Sequence, residues 1–533
     1  MTTLLLIFGT SLVICLILTP FVRRLAIRHD LIDRPDGHRK THSKPTPVAG
    51  GLAVFVAAGI AAASLFLVAN PLSDEVAQQG KQMLGLLLAA GVICGTGVAD
   101  DFGLLRGRHK LLGQLLAVII VVSFGLIVRN VRLFNFDVEL GLLAVPFTIF
   151  FLLGAINSLN LLDGMDGLLS TIGLIISLAM AGMAVLGNHW PAAAVAVALA
   201  GALLGFLFYN FPPASVFLGD SGSMLIGLVI GVLAIQSSLK GPATIALAAP
   251  LAALAIPILD TTAAILRRKL TGRSLYATDR GHLHHCLLNR GLSIRSALFW
   301  ISFFCMLTVI GALASLALNN ELIAIVSAVT VAGILVGVRI FGHAELKLAR
   351  QRLVASVSSF LKTPPNGHAR AMEFRLQGSA DWKELWDPFT ESALQLNLKT
   401  LSLDVNAPAI HEAYHARWDC PHDAVENHDL WVAELPIMVR SRPLGRLQIT
   451  GHRDGAPVWQ KIAVLTKLVE DIETKLTILQ AGVFKSSTAP KVNGTAKSPS
   501  DIRPSNGEHT NGHAAAARER SASQRVRIED STA

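Results

Sequence analysis

From residue 1 to residue 345 the sequence is a succession of apolar runs broken by short polar loops. A helix needs about 20 apolar residues to cross a bilayer core. Lipid supplies no hydrogen-bond partner for the backbone, so runs of that length fold as helices that satisfy themselves. Eleven candidate spans are read, at 3–20, 48–69, 83–99, 111–128, 142–159, 168–187, 190–209, 222–238, 242–262, 297–317 and 322–342. The predicted class is an all-α polytopic membrane protein of about eleven transmembrane helices. Composition agrees: 52% of residues are hydrophobic and 16% charged, where a soluble chain carries about 25% charged residues.

Loop charge gives an orientation. With the N-terminus outside, one set of loops holds seventeen Lys/Arg and the other four. Basic loops stay in the cytoplasm, so the richer set is predicted cytoplasmic, in the inner (plasma) membrane. The first apolar run lacks a basic start and a small-residue cleavage site, and Arg23 and Arg24 follow it; it reads as an uncleaved first span. The predicted organisation is a transmembrane domain (1–345), a linker (346–369), a small cytoplasmic α+β domain (370–482) and a disordered tail (483–533). In the third part, helix-like stretches at 381–399 and 458–480 flank strand-like segments at 430–439 and 444–450. A regulatory or partner-binding module is expected there. The tail is rich in Ser, Ala, Pro, Asn and charge.

The net charge of +9 reads as membrane-flanking lysine and arginine, and no nucleic-acid partner is expected: no basic stripe carries interleaved aromatics, and the chain has three Tyr. The five cysteines are scattered without metal or redox spacing.

Every unusual polar cluster of the membrane half falls on the predicted cytoplasmic side. Asp100-Asp101 ends the third span, with Arg106, Arg108 and Lys110 after it. Adjacent carboxylates at a membrane boundary need a cation or water; a solvated helix end is the bland alternative. In Asn157-Ser-Leu-Asn160-Leu-Leu-Asp163-Gly-Met-Asp166-Gly167 the polar positions recur every three residues, which places them near one helix face. Their oxygens suit Mg²⁺ or the edge of a base; a polar helix contact is the alternative. Gly219-Asp220-Ser221-Gly222-Ser223 shares four letters with serine proteases of the chymotrypsin type, but a triad is recognised by geometry. Small residues before a helix offer backbone N–H groups to phosphate. The stretch from Asp279-Arg280 to His282-Leu-His284-His285-Cys286 lacks the spacing of a zinc site and suits phosphate oxygens better. Basic residues from Arg34 to Lys44 precede a Pro/Gly turn into the second span; they also serve as a positive-inside anchor.

The Asp-Asp pair, the Asn/Asp run, the Gly-Asp-Ser-Gly-Ser segment and the His-Leu-His-His loop, in that order, resemble the polyprenyl-phosphate N-acetylhexosamine-1-phosphate transferases, over about residues 1 to 345. The His-Leu-His-His form looks like the branch that starts O-antigen, teichoic acid or exopolysaccharide synthesis. The resemblance implies that a phosphate oxygen of undecaprenyl phosphate attacks the β-phosphate of a UDP-N-acetylhexosamine, UDP-N-acetylglucosamine by preference, and UMP leaves. It implies Mg²⁺, with Mn²⁺ as a substitute, a lipid environment, and a homodimer as one assembly. Asp220, with Asn160, looks like the metal site. Asp100, Asp101 and Asp163 look like the catalytic carboxylates. Lys44, Lys110, Asn157, Asn160, Asp166, His282, His284 and His285 look like substrate contacts. Three other functions compete. The first is the phospho-N-acetylmuramoyl-pentapeptide transferase of peptidoglycan synthesis. The second is a transporter of anionic lipid or nucleotide-sugar, which would carry midplane charges in repeated halves. The third is a membrane metalloprotease.

Overall fold

The computed structural model describes residues 1–34, 45–67, 78–133, 136–237, 239–241, 244–270, 281–343, 345–347, 349–350, 370–377, 382–407, 412–420, 430–439, 442–452, 457–488 and 527–529. The chain forms two compact units, Met1–Lys347 and Leu348–Ala533.

The first unit is helical. Its long helices are α1 (Thr2–Arg28), α2 (Gly50–Leu67), α3 (Gly80–Asp101), α4 (Gly107–Ser123), α5 (Ala144–Leu162), α6 (Leu168–Leu186), α7 (Trp190–Asn210) and α8 (Gly219–Gln236). The broken pair α9 (Ala248–Ala253) and α10 (Ala255–Leu270) follows, then the short α11 (Leu283–Asn289), α12 (Ile294–Ala317) and α13 (Glu321–Gly337). Among the described residues seven helices are long and apolar enough to cross a membrane, and two shorter apolar helices, Gly50–Ser64 and Glu321–Gly337, add to them. The eleven spans read from hydropathy are not all realised as single long helices.

The expected span at 242–262 differs most. It begins as the strand Thr244–Ala246 and continues as α9 and α10, interrupted at Leu254. Pro257 explains the break: its ring excludes the carbonyl four residues back, which belongs to Ala253, the last residue of α9. An apolar window cannot report such a break.

α8 is the hub of the unit. It is buried almost throughout and packs against α2, α3, α5 and α6. Its small residues allow close approach; Gly227, for example, lies against the α5 backbone at Ile156. The peripheral helices expose Leu5, Leu6, Leu116, Phe150 and Phe208, as side chains facing lipid do.

Two small sheets close the unit. β1 (Ile32–Asp33) pairs antiparallel with β2 (Thr46–Pro47), and Val48 bridges to Phe217. The Gly50 and Gly51 N–H groups donate to Phe217 and Leu218 carbonyls at 2.9 and 3.0 Å, which ties the start of α2 to the start of α8. Beyond the far ends of α4 and α8, β3 (Asn130–Leu133), β4 (Phe136–Glu139), β5 (Leu239–Gly241) and β6 (Thr244–Ala246) form a sheet in the order β4-β3-β6-β5.

The second unit holds a six-stranded sheet of order β12-β10-β11-β8-β9-β7. Its strands are β7 (Arg370–Gln377), β8 (Leu398–Ala407), β9 (Glu412–Asp419), β10 (Leu430–Val439), β11 (Arg442–His452) and β12 (Arg527–Glu529), with helices α14 (Lys383–Gln395) and α15 (Val458–Thr488). Trp382, Trp386, Phe389 and Trp418 fill its core with Leu465 and Ile472 of α15. Most of the linker 346–369 and of the tail expected to be disordered lies outside the described residues.

Candidate active site

Four helix ends meet on one side of the first unit. α3 arrives with Asp100-Asp101 at its C-terminus, α4 leaves with Lys110 in its first turns, α5 arrives and stops before Asp163, and α8 leaves at Gly219-Asp220. The loop motifs that lie far apart in sequence converge because these helices run antiparallel.

Asp101 ties two of the ends together. Its carboxylate accepts the Asp220 N–H at 2.8 Å and the Ser221 N–H at 3.2 Å. These are donors that the first turn of α8 cannot satisfy internally, and the negative charge complements the positive end of the helix dipole. The close approach needs glycine. Gly219 adopts φ +73°, and a Cβ there would strike the Asp101 carboxylate; at Gly97 a Cβ would run into the Asp220–Ser221 backbone.

Lys110 links the other carboxylates, with its Nζ 2.9 Å from Asp100 Oδ2 and 2.8 Å from Asp220 Oδ1. Asn160 Nδ2 donates to Asp220 Oδ1 at 2.6 Å and to Ser223 Oγ at 2.7 Å. Asp220 is thereby fixed from α4 and α5 at once.

These groups border a cavity of about 590 Å³, lined also by Asp33, Asp163, Asp166, Asn210 and His285. Asp166 accepts the Ala214 N–H at 2.9 Å and so holds the loop leading to α8. Asp163, just past the end of α5, carries a carboxyl that burial pushes up to about 8, helped by the charges of Asp220, Asp101 and Asp166. A cavity this acidic repels anions unless cations enter with them.

The oxygen donors of Asp220 and Asn160, with Asp100 beside them, fit a hard divalent cation. Lys110 shows that the Asp100–Asp220 pair already accommodates positive charge. Among the described residues no group of three His, Cys, Asp or Glu side chains forms a complete metal cage. Mg²⁺ suits such a partial set, because it keeps waters and takes ligands from substrate phosphates.

Of the residues expected at the site, Asp100, Asp101, Asn160, Asp163, Asp166, Asp220 and His285 line the cavity, and Lys110 bonds to its wall. Asn157 does not line it. Its amide pairs reciprocally with Gln114 of α4, at 2.9 and 3.3 Å, and donates to the Leu153 carbonyl at 2.8 Å. It sits one turn deeper than Asn160, where a polar side chain between helices must find its partner in the protein. His282 and His284 also lie off the lining; His284 packs where any side chain on Gly164 would stand. Lys44, Asp279 and Arg280 lie outside the described residues.

Sequence reading missed Asp33, Asn210 and Asp260. Asn210 donates to the Val216 carbonyl at 2.9 Å and accepts from Ser170 at 2.7 Å; as the last residue of α7 it looked like an ordinary helix end. A lone carboxylate in an apolar stretch was the available signal for Asp260.

The model of glycosyl transferase family 4 matches residues 83–238, a stretch that includes Asp100 through Asp220. A probable undecaprenyl-phosphate N-acetylglucosaminyl 1-phosphate transferase of Bacillus subtilis (strain 168) is 36% identical over 296 residues, covering 55% of this chain and 80% of the relative. A decaprenyl-phosphate N-acetylglucosaminephosphotransferase of Mycolicibacterium smegmatis is 36% identical over 332 residues, covering 57% and 80%. A phospho-N-acetylmuramoyl-pentapeptide-transferase of Halalkalibacterium halodurans shares less of the chain, 34% identity over 253 residues, covering 44% and 74%. With the aspartate knot, the helix ends that build it and these relatives in agreement, the chain belongs to glycosyl transferase family 4, among the polyprenyl-phosphate N-acetylhexosamine-1-phosphate transferases.

Proposed function

We propose that this protein transfers N-acetylglucosamine 1-phosphate from UDP-N-acetylglucosamine to undecaprenyl phosphate at the cytoplasmic face of the plasma membrane. The observation that carries the reading is the knot in which Lys110 and Asn160 both bond one oxygen of Asp220 at the wall of an acidic cavity. Donor and acceptor are both phosphate anions, and phosphoryl transfer is mostly positioning and charge neutralisation.

In the reaction a non-bridging oxygen of the lipid phosphate forms a bond to the β-phosphorus of the donor. The bond from that phosphorus to the oxygen bridging it to the α-phosphate breaks, and UMP leaves with the electron pair. Asp220 and Asn160 would hold Mg²⁺, with Asp100 nearby, and the ion supplies charge stabilisation on the transferring phosphate. Lys110 holds Asp100 and Asp220 in place and offsets part of the carboxylate charge. Asp101 fixes the N-terminus of α8, and therefore the backbone that carries Asp220. Asp163 and Asp166 stand on the α5–α6 turn, where the nucleoside end of the donor is placed. His285 faces the same cavity and suits the diphosphate. The relatives named for N-acetylglucosamine share more of this chain than the muramoyl-pentapeptide relative does, which favours the smaller donor.

The test is UMP release by purified protein with Mg²⁺, undecaprenyl phosphate and a panel of UDP-sugars. Release is expected with UDP-N-acetylglucosamine and falls about 100-fold or more in Asp220→Ala, the scale for losing a charge-stabilising element of a transition state. Release only with the muramoyl-pentapeptide donor would replace the proposed substrate. Orientation has its own check, in a cysteine-free background. Cysteine at exposed Leu104, in the turn after Asp101, should be labelled by an impermeant maleimide only after the cells are opened; cysteine at exposed Val138 should be labelled in intact cells. The reverse pattern would overturn the topology.

A further inference from the structure

α10 carries a carboxylate that the cavity does not use. Asp260 is 1% exposed. Its Oδ2 lies 2.9 Å from His282 Nδ1 and its Oδ1 accepts the Leu283 N–H at 2.7 Å. A carboxylate accepts hydrogen bonds, so this contact runs from the His282 Nδ1–H to Asp260. The Leu283 N–H is the first of α11, a donor that the helix cannot satisfy itself.

α11 has seven residues, too few to be stable by propensity alone, so its placement depends on what grips it. From the gripped end the contacts run on to the cavity. The His282 and His284 rings stack 6.0 Å apart and nearly parallel, and His284 meets His285 at 4.2 Å. His284 is buried against Gly164 with neither ring nitrogen hydrogen-bonded, and burial holds it well below the usual histidine range. It therefore acts as neutral packing between the two. His285 reaches the cavity wall.

We propose that Asp260 is a positioning residue: by gripping His282 and the Leu283 N–H it sets the tilt of α11 and so places His285 against the donor. On this view His282 is an anchor for α11, and the donor meets His285. The inference rests on the transferase reading above and extends it to residues outside the cavity.

Steady-state UMP release with each substrate varied in turn tests it. Asp260→Asn keeps an acceptor for Leu283 N–H but presents an N–H to His282 Nδ1. It is expected to raise KM for UDP-N-acetylglucosamine at least fivefold while KM for undecaprenyl phosphate stays within twofold. His282→Asn retains an N–H for Asp260 and His282→Leu does not, so the donor KM of His282→Asn should be at least threefold below that of His282→Leu. This comparison decides the matter even where Asp260→Asn fails to accumulate. A general loss of packing would lower kcat or raise both KM values together. Asp260→Asn kinetics within twofold of wild type, equal shifts in both KM values, or no difference between the two His282 variants would each overturn the assignment. Wild-type protein that releases no UMP with any donor would instead overturn the functional reading and, with it, the donor contact assigned to His285.

Discussion

Asp163 shows how one side chain links the site to the stability of the fold. Its carboxyl, 3.8 in the unperturbed state, is held up to about 8 by burial and by neighbouring carboxylates. The folded chain therefore keeps a proton that the unfolded chain releases, and stability falls as pH rises wherever the folded state binds more protons. The group costs nothing below about pH 4, destabilises progressively up to about pH 8, and levels off above that. Asp163→Asn, which carries no charge at any pH, should raise Tm over wild type at about pH 8.5 in chelator and much less at about pH 5. Equal differences at the two pH values would refute this account. Added Mg²⁺ should shrink the gain, because a cation favours the ionised carboxylate. The candidacy of Asp163 was legible in sequence from its three-residue spacing with Asn160. The crowding that lifts its pKa was not, because Asp220 and Asp101 come from helices more than fifty residues away in sequence.

At the scale of elements, the site is a set of helix ends held together by close backbone approach. Gly97 and Gly95 lie two residues apart on α3, but a Cβ on Gly97 would enter the α8 backbone while one on Gly95 would meet open space. Gly97→Ala is expected to lower UMP release at least tenfold and to cost about 1–3 kcal/mol of stability, the usual range for overpacking. Gly95→Ala should leave release within twofold, because alanine favours the helix and nothing is displaced. Equal effects in an activity and thermal-unfolding comparison would show that the α3–α8 contact does not hold Asp220. Hydropathy located the long helices because apolar length is a local property. It did not see the interruption in α9 and α10, where one proline outweighs a window of apolar residues. Motif spacing put Asn157 on one face with Asn160, and spacing does not say that the deeper position meets Gln114.

On the scale of the whole molecule, the two units divide the chain at Lys347, and the Bacillus subtilis relative covers 55% of this chain while matching 80% of its own length. Every described residue of the cavity belongs to the first unit, and the buried Arg267–Glu345 ion pair near its end is also internal to it. A chain ending at Lys347 should insert in the membrane and release UMP within about threefold of full-length protein. The span of the relatives supports this, since truncation tolerance follows from the contacts that are cut. Loss of activity in a truncated protein that still accumulates in the membrane would show that the second unit takes part in catalysis.

The sequence by itself determined that this is a multi-span helical protein, because a continuous apolar run of about 20 residues satisfies its own backbone polar groups in lipid by forming a helix. It also determined which polar residues belong together, through motif order and a shared side of the loops. Tertiary structure decided what each does. Asp101 spends its carboxylate on the N-terminus of α8 and Asp260 spends its own on His282 and Leu283; Asn157 pairs its amide with Gln114, while Asp220 stands at the cavity with Lys110 and Asn160. A side chain's role depends on which groups its oxygens reach, and those groups arrive only when distant helices pack.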